Sequence, residues 1–215
     1  LDAIIKKNNV EIIYHVAAYK HVPLVERNPL AGIRNNVLAT NAICQSSLRN
    51  KVKKVLLIST DKAVRPTNFM GATKRFSELI CKAFYEKNKS TLFSIVRFGN
   101  VLGSSGSVVP LFKQQIENKR VITVTHKKIC RYFMTISEAV ELVIQAGSLS
   151  NGADIFVLDM GRQIQIFDLA KKMVRLYGLI PTTNKPQHDK EIQIKFTGLR
   201  KGEKLFEELF LEKNS

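Results

Sequence analysis

An α/β fold built on a parallel sheet is predicted by three observations. Four short apolar runs, Ile12–Val16, Val55–Ile58, Phe93–Val96 and Ile155–Leu158, have the length of strands and no polar alternation. Helical spacing fills the intervals between the first three; Phe76, Leu79, Ile80, Ala83 and Phe84 recur at i, i+3, i+4, i+7 and i+8. Strands apolar on both sides, alternating with helices, belong to a sheet covered on both faces.

The remaining elements follow in order. Asp2 to Asn9 reads as the end of a helix, so the chain is expected to be a piece of something longer. Val37, Leu38, Asn41, Ala42 and Leu48 mark a helix after a stop at Asn28-Pro29. Beyond Arg97, Gly99, Gly103, Gly106 and Pro110 punctuate a loop, followed by a helix to about Lys119. Ser137 is the expected N-cap of the next helix. Phe167–Tyr177 is helical and stops at Gly178. Pro181–Asp189 reads as an exposed loop, Glu191–Phe196 as a half-exposed strand, and Lys204–Leu211 as a closing helix. At 215 residues the chain suits one domain, or one large domain with a small appendage. The division is expected near residue 100.

Lys plus Arg number 34 against 18 Asp plus Glu, a formal charge of +16. That field favours anionic partners, but the cations are spread along the chain as on a solvated surface, so no specific nucleic-acid partner is expected. No apolar run reaches the length of a membrane span. Cys44, Cys81 and Cys130 are odd in number and lack paired spacing, which points to a reducing, cytoplasmic setting and to no metal.

The chemistry-bearing residues gather after the second apolar run. Ser59-Thr60-Asp61-Lys62 begins where Val55–Ile58 ends, and ligand crevices of open α/β sheets lie at the carboxyl ends of strands. Met70 and Lys74 stand one turn apart on the following helix. A hydroxyl, a carboxylate and two ammonium groups thus converge. Read singly, each has a plainer explanation. Thr60 and Asp61 could cap a helix, Lys62 and Lys74 could be solvated, Met70 could fill core, and Arg131 and Arg200 could pair with surface carboxylates.

Several stretches together resemble the extended short-chain dehydrogenase/reductases that act on nucleotide sugars, and most closely the UDP-N-acetylglucosamine 4,6-dehydratases of the polysaccharide-biosynthesis branch. They are His15 to Pro23, Asn35 to Thr40, Ser59 to Lys74, Val96 to Pro110, Arg131 to Thr135, and Phe196 to Lys204. They run in family order across nearly the whole chain. The resemblance implies the C-terminal portion of a doubly wound, Rossmann-type parallel sheet. Residues 1–100 would be a partial NAD-binding domain without its first strands and Gly-rich turn, and residues 101–215 a small α/β region for a UDP-sugar.

What the resemblance implies for chemistry is specific. NAD is held tightly and is reduced and reoxidised in each turnover. Hydride leaves sugar C4, water is lost across C5–C6, and hydride returns to C6, giving a UDP-4-keto-6-deoxy-N-acetylhexosamine for surface glycans. Thr60 would bind the sugar O4, Asp61 would protonate the departing O6, and Lys62 would be the C5 base. An ordinary lysine, with a pKa near ~10.4, is a poor base at neutral pH, so that role asks for a desolvated, charge-crowded ammonium. The cofactor would meet Ala17, Ala18, Tyr19, Ser59 and Lys74. The substrate would meet Lys20, His21, Asn36, Asn100, Ser107, Val108 and Pro110, with Arg131 and Arg200 on the pyrophosphate and Glu203 on the uridine ribose.

Met70 departs from the superfamily pattern, which places a proton-accepting Tyr there; a thioether cannot take that proton, so either Asp61 or a water it holds takes it, or the chain is catalytically impaired. Met at this position resembles the long, membrane-anchored members, which implies retention at C5 and an upstream anchor holding the protein at the cytoplasmic face of the inner membrane. A homo-oligomer is implied too. Two alternatives stand beside dehydration: a 4-epimerase of the same fold, and a piece that binds UDP-sugar without turnover. Without a Gly-rich turn before Ile12, this length of chain is expected to be inactive alone.

Overall fold

The computed structural model describes residues 1–118 and 121–210. In chain order the helices are α1 (Asp2–Lys7), α2 (Val22–Arg27), α3 (Pro29–Gly32), α4 (Ala39–Arg49), α5 (Phe69–Lys87), α6 (Val108–Glu117), α7 (Ile136–Leu149) and α8 (Ile166–Leu176). A π-helical segment, Ile33–Leu38, joins α3 to α4, and a 3-10 turn spans Asp61–Ala63. The strands are β1 (Ile12–His15), β2 (Lys54–Ile58), β3 (Leu92–Arg97), β4 (Asn100–Val101), β5 (Ile122–Val124), β6 (Cys130–Arg131), β7 (Phe133–Met134), β8 (Ile155–Val157), β9 (Ile164–Gln165), β10 (Ile180–Thr182) and β11 (Glu191–Phe196).

These elements form two compact units. The first comprises Leu1–Phe98, Glu138–Asp159 and the described residues 208–210; the second comprises Gly99–Ser137 and Met160–Glu207. The boundary expected near residue 100 therefore misses a return. Residues 138–159 rejoin the first unit because β8 pairs with β3, Ile95 opposite Ile155.

The first unit is the parallel sheet, in the order β1-β2-β3-β8. Ile13 lies opposite Val55, and Val55 opposite Phe93, all in parallel register. Residues 55 to 58 of β2 are all buried, as an apolar run without alternation requires. Val55, Leu57, Phe93 and Ile95 face α1, α4 and α5 in one core with Ile5, Cys44, Val52 and Cys81. Each such aliphatic side chain contributes roughly 1.5–3 kcal/mol by leaving water. The Cys44 and Cys81 sulfurs lie 3.7 Å apart as free thiols in that core. On the other sheet face α7 is fastened by Lys54 Nζ, which donates to the Gly147 carbonyl at 3.0 Å, and Ser94 and Ser150 share a hydrogen bond of 2.6 Å.

The second unit has its own core of Phe112, Ile116, Ile122, Val124, Ile129, Phe133, Ile166, Ala170, Val174, Ile192 and Ile194. Strands β10, β11 and β5 form a parallel sheet, β4 pairs with β7, and β6 pairs antiparallel with β9. Helix α8 ends in a Schellman arrangement: Leu179 N–H donates to Val174, Gly178 N–H donates to Arg175, and Gly178 sits at φ +72°.

Four expectations change. Pro29 starts a helix rather than stopping one, because its missing N–H is one of the unpaired donors of a first turn. Ser137 lies inside the first turn of α7, which begins at Ile136. Part of the Pro181–Asp189 loop is strand; Pro181 is opposite Ile192 on the edge strand β10, where a missing N–H costs no ladder bond. No helix forms over residues 204–210, since the Leu205 carbonyl accepts from Cys130 N–H and from Arg131 instead of from its own segment. Lys119 and Leu211, the expected ends of two helices, lie outside the described residues. Among the described residues no helix is long and apolar enough to cross a membrane.

Candidate active site

Strand β2 delivers its last residue, Ile58, to the carboxyl edge of the sheet, and the chain turns there. Ser59 N–H still bonds Val96, and Asp61 N–H bonds Phe98. Thr60 is the extended N-cap of the 3-10 turn, its Oγ1 accepting from Lys62 N–H at 3.4 Å. The turn places the Asp61 carboxylate in full burial. Its Oδ1 accepts from Thr60 Oγ1 at 2.8 Å and from Lys62 Nζ at 3.0 Å. Oδ2 is enclosed and has no hydrogen-bond partner. An unpaired buried carboxylate oxygen is costly, and such groups mark sites where a ligand atom is meant to complete the set.

Helix α5 approaches this turn from its N-cap, Asn68, whose side chain accepts from Gly71 N–H at 2.8 Å. A Cβ on residue 71 would stand 2.2 Å from the Lys62 carbonyl oxygen, so glycine is what lets α5 touch the turn. Met70 and Lys74 follow on the buried side of the helix. Lys74 Nζ donates to the Ile58 carbonyl at 2.5 Å. Burial pulls the Lys74 ammonium down to about 8, against the opposing fields of Glu78 and Cys81. Thr60, Asp61, Lys62, Met70 and Lys74 therefore belong to one small region.

After β1 the chain passes Ala17, Ala18 and Tyr19, then Lys20 and His21, the last being the N-cap of α2. Two residues nearby have partners within the protein. Asn36, expected on the substrate, is buried in the π-helical segment; its amide accepts from Tyr19 N–H and donates to Tyr19 O and Thr73 Oγ1. It pins the loop to α5. Ser59, expected on the cofactor, donates its hydroxyl to Glu78 Oε1 at 2.6 Å and is likewise buried.

In the second unit, Asn100 lies on β4 opposite Phe133. Ser107 caps α6 in position only, its hydroxyl enclosed without a partner, and Val108 and Pro110 form the first turn. Arg131 and Glu203, expected on the pyrophosphate and the uridine ribose, meet each other here. Arg131 is 7% exposed; its guanidinium lies 3.4 Å from Glu203 and 3.7 Å from Glu207 and bonds the Cys130 and Leu205 carbonyls. One guanidinium between two carboxylates presents no net positive charge to a diphosphate. Glu203 accepts from Arg131, from Thr125 and from Arg200 N–H, so its oxygens serve the loop. Arg200 is exposed.

A family model described as polysaccharide biosynthesis protein matches residues 1–215. The chain belongs to this family. It is 54% identical over 202 residues to the capsular polysaccharide biosynthesis protein CapD of Staphylococcus aureus, covering 94% of this chain and 32% of CapD. It is 50% identical over 211 residues to the probable polysaccharide biosynthesis protein EpsC of Bacillus subtilis, covering 98% of this chain and 34% of EpsC. Among solved structures, Pen from Bacillus thuringiensis superposes with a TM-score of 0.87 at 37% identity, over 98% of this chain and 62% of Pen. The chain thus spans about a third of the length of these two curated relatives.

Within this member of the family, a buried charge network stands that the sequence did not announce. Glu78 takes bonds from Ser59, Arg75 and Arg97. Burial pushes the Glu78 carboxyl up, but the hydrogen bonds from Arg97, Ser59 and Arg75 outweigh it and hold the group below the ordinary carboxylate range. A signal for it existed: Glu78 is four residues after Lys74, and Arg97 is a cation closing an apolar strand. His15 was missed too. Burial, and then the Lys74 charge, lower it to about 4, and its neutral ring meets Thr40 Oγ1 at 2.9 Å. Among the described residues no group of three or more His, Cys, Asp or Glu could hold a metal ion.

Proposed function

We propose that this chain carries the reaction centre of an NAD-dependent 4,6-dehydratase acting on a UDP-N-acetylhexosamine. The observation that carries the reading is Asp61: buried, one oxygen engaged by Thr60 and Lys62, the other without a partner. As a carboxylate, Asp61 would take the O4 proton when C4 is oxidised, and the acid so formed would give that proton to the departing hydroxyl, a shuttle that needs one free oxygen in a poorly hydrated place. Lys62, 17% exposed at its side chain and paired to that carboxylate, is the base for C5. Thr60 orients O4.

The residues at the carboxyl end of β1 suit a dinucleotide: Ala17 and Ala18 have small side chains, and Lys74 brings a buried cation for ribose hydroxyls. Bound there, NAD would supply the hydride acceptor and donor. Residues 1–98 would be part of the cofactor-binding domain, and the second unit would serve the UDP-sugar. Of the two arginines assigned to the pyrophosphate, Arg131 meets Glu203 and Glu207, and Arg200 is exposed and available to phosphate oxygens.

Met70 argues against the 4-epimerase reading, because a thioether has no proton to exchange with O4. The test uses the whole protein with UDP-N-acetylglucosamine. Asp61→Asn and Lys62→Ala should each abolish the 4-keto-6-deoxy product, and deuterium should not wash into C5 with Lys62→Ala. An isomerised sugar at C4 as the only product would establish the epimerase. Normal dehydration by both variants would end the proposal.

A further inference from the structure

One buried charge on α5 ties the centre together without touching the place a sugar would occupy. Glu78 is 1% exposed and lies one helical turn after Lys74. Four hydrogen bonds converge on its carboxylate. Ser59 Oγ donates to Oε1 at 2.6 Å, Arg97 Nε to Oε1 at 2.8 Å, Arg97 Nη2 to Oε2 at 2.6 Å, and Arg75 Nη1 to Oε2 at 2.9 Å. Two of the three donor residues sit at joints between elements, while Arg75 belongs to α5 itself. Ser59 links β2 to Thr60, and Arg97 is the last residue of β3 before Phe98, whose carbonyl holds Asp61 N–H. The carboxylate therefore joins the helix carrying Lys74 to both strand ends that frame the Asp61 turn.

A buried ion pair is weak evidence of added stability, since its desolvation cost often matches what the pair returns. What a bidentate, four-donor carboxylate adds is direction: it fixes distances that apolar contacts leave loose. We propose that Glu78 is the positioning residue of this centre, its carboxylate clamping the Thr60–Asp61 turn to the helix that carries Lys74. The inference rests on the reading of Asp61 and Lys74 as reaction groups. Supporting it, the Glu78 charge is the foremost influence opposing the burial that lowers Lys74. The other titratable and charged groups around Lys74 are Cys81 on α5, neutral His15 on β1, the Asp61–Lys62 pair on the turn, and Arg97 on β3.

The test measures kcat, KM and melting of the whole protein between about pH 6 and 10, the range that brackets an ammonium lowered by burial. Glu78→Gln should lower kcat by roughly 10-fold or more with KM nearly unchanged, as expected of misplaced groups. Its alkaline limb should move to lower pH, because Lys74 then loses its proton sooner. Glu78→Asp should restore the limb but not kcat, having the charge without the reach to Ser59.

Glu78→Gln alone strands Arg97, so the neutral pair Glu78→Gln/Arg97→Gln and the mild Ser59→Ala accompany it. Ser59→Ala should lower kcat and leave the limb in place; the neutral pair should shift both. Wild-type kcat and limb in Ser59→Ala together with an unmoved limb in the neutral pair would overturn the assignment, as would failure of Glu78→Asp to restore the limb. If Asp61→Asn is dead while these variants behave as wild type, only the role of Glu78 falls. If Asp61→Asn turns over, the reading of the centre falls instead.

Discussion

Asp61 and Lys62 are sequence neighbours whose side chains fold back on each other, Nζ to Oδ1 at 3.0 Å. Such a contact between adjacent residues is possible because the 3-10 turn brings the long lysine side chain round to the carboxylate that precedes it. The carboxylate is wholly enclosed while the lysine keeps a path to water, so the two ends of the pair are unequal. Removing Lys62 leaves a buried anion with only Thr60 beside it. Removing the charge of Asp61 leaves a cation that can solvate.

The expected result is an asymmetric thermodynamic cycle. Lys62→Ala should cost about 3 kcal/mol and Asp61→Asn about 1 kcal/mol or less, following the cost of an unpaired buried charge. Asp61→Asn/Lys62→Ala should be more stable than Lys62→Ala alone. Denaturant titration of the four proteins reads this directly; additive costs would mean the pair is not coupled.

Gly71 offers a prediction in which two effects oppose. Ala is the better helix former by about 0.8–1 kcal/mol, so propensity alone says that Gly71→Ala stabilises α5. The new methyl would stand 2.2 Å from the Lys62 carbonyl oxygen, and backbone cannot step aside cheaply. Overpacking costs about 1–3 kcal/mol, so the clash should win and the protein should melt lower. Lys62 would shift with its carbonyl, lowering turnover at least ~10-fold. A Gly71→Ala protein as stable and as active as wild type would show that the close approach is unimportant.

The parts of the fold that were legible in the sequence are those ruled by local periodicity. Residues 55–58 and 93–96 announce buried strands, and Phe76 to Phe84 announce α5, because one face or both must be apolar to be buried. The Thr60–Lys62 turn was legible because polar residues directly after a buried strand have few places to go. Glu78, Asn36 and Arg131 were not, since their partners lie 19, 17 and 72 residues away for Arg97, Tyr19 and Glu203. A polar side chain facing a ligand and one facing a distant neighbour look alike until the chain is folded. The return of β8 to the first sheet was hidden for the same reason: pairing is a property of two segments, and one segment's composition names no partner.

Met70 occupies a buried place on α5 whose backbone carbonyl accepts from Thr73 Oγ1 at 2.7 Å. If it only fills space, Met70→Leu is a volume-conserving exchange that should cost under ~1.5 kcal/mol. Turnover should stay within a few-fold, whereas removing a true proton-transfer group costs about 10²–10⁴. Steady-state rates of Met70→Leu beside Asp61→Asn make the comparison. A collapse of the Met70→Leu rate to the level of Asp61→Asn would assign the sulfur a chemical part.

Lys74 gives the fold a pH dependence of definite sign. Burial lowers its ammonium from 10.5 to about 8 in the folded chain. Between those two values the unfolded chain binds more protons than the folded one, so stability must rise with pH across that window. Below about 8 both states carry the proton and the full burial cost is present. Each unit of pKa difference is worth ~1.4 kcal/mol, so raising the pH from about 7.5 to 9.5 should add roughly 2 kcal/mol through this residue. Cys44 works the other way, because burial and its neighbour Cys81 push its thiol up and the unfolded chain releases that proton first. The Cys44 contribution is shared by wild type and Lys74→Met, so it cancels in their difference. Denaturant midpoints of the two proteins at both pH values should show wild type gaining on Lys74→Met as the pH rises. Parallel behaviour of the two would mean that Lys74 keeps an ordinary lysine's proton affinity, and that its enclosure under Ile58 is relieved by water.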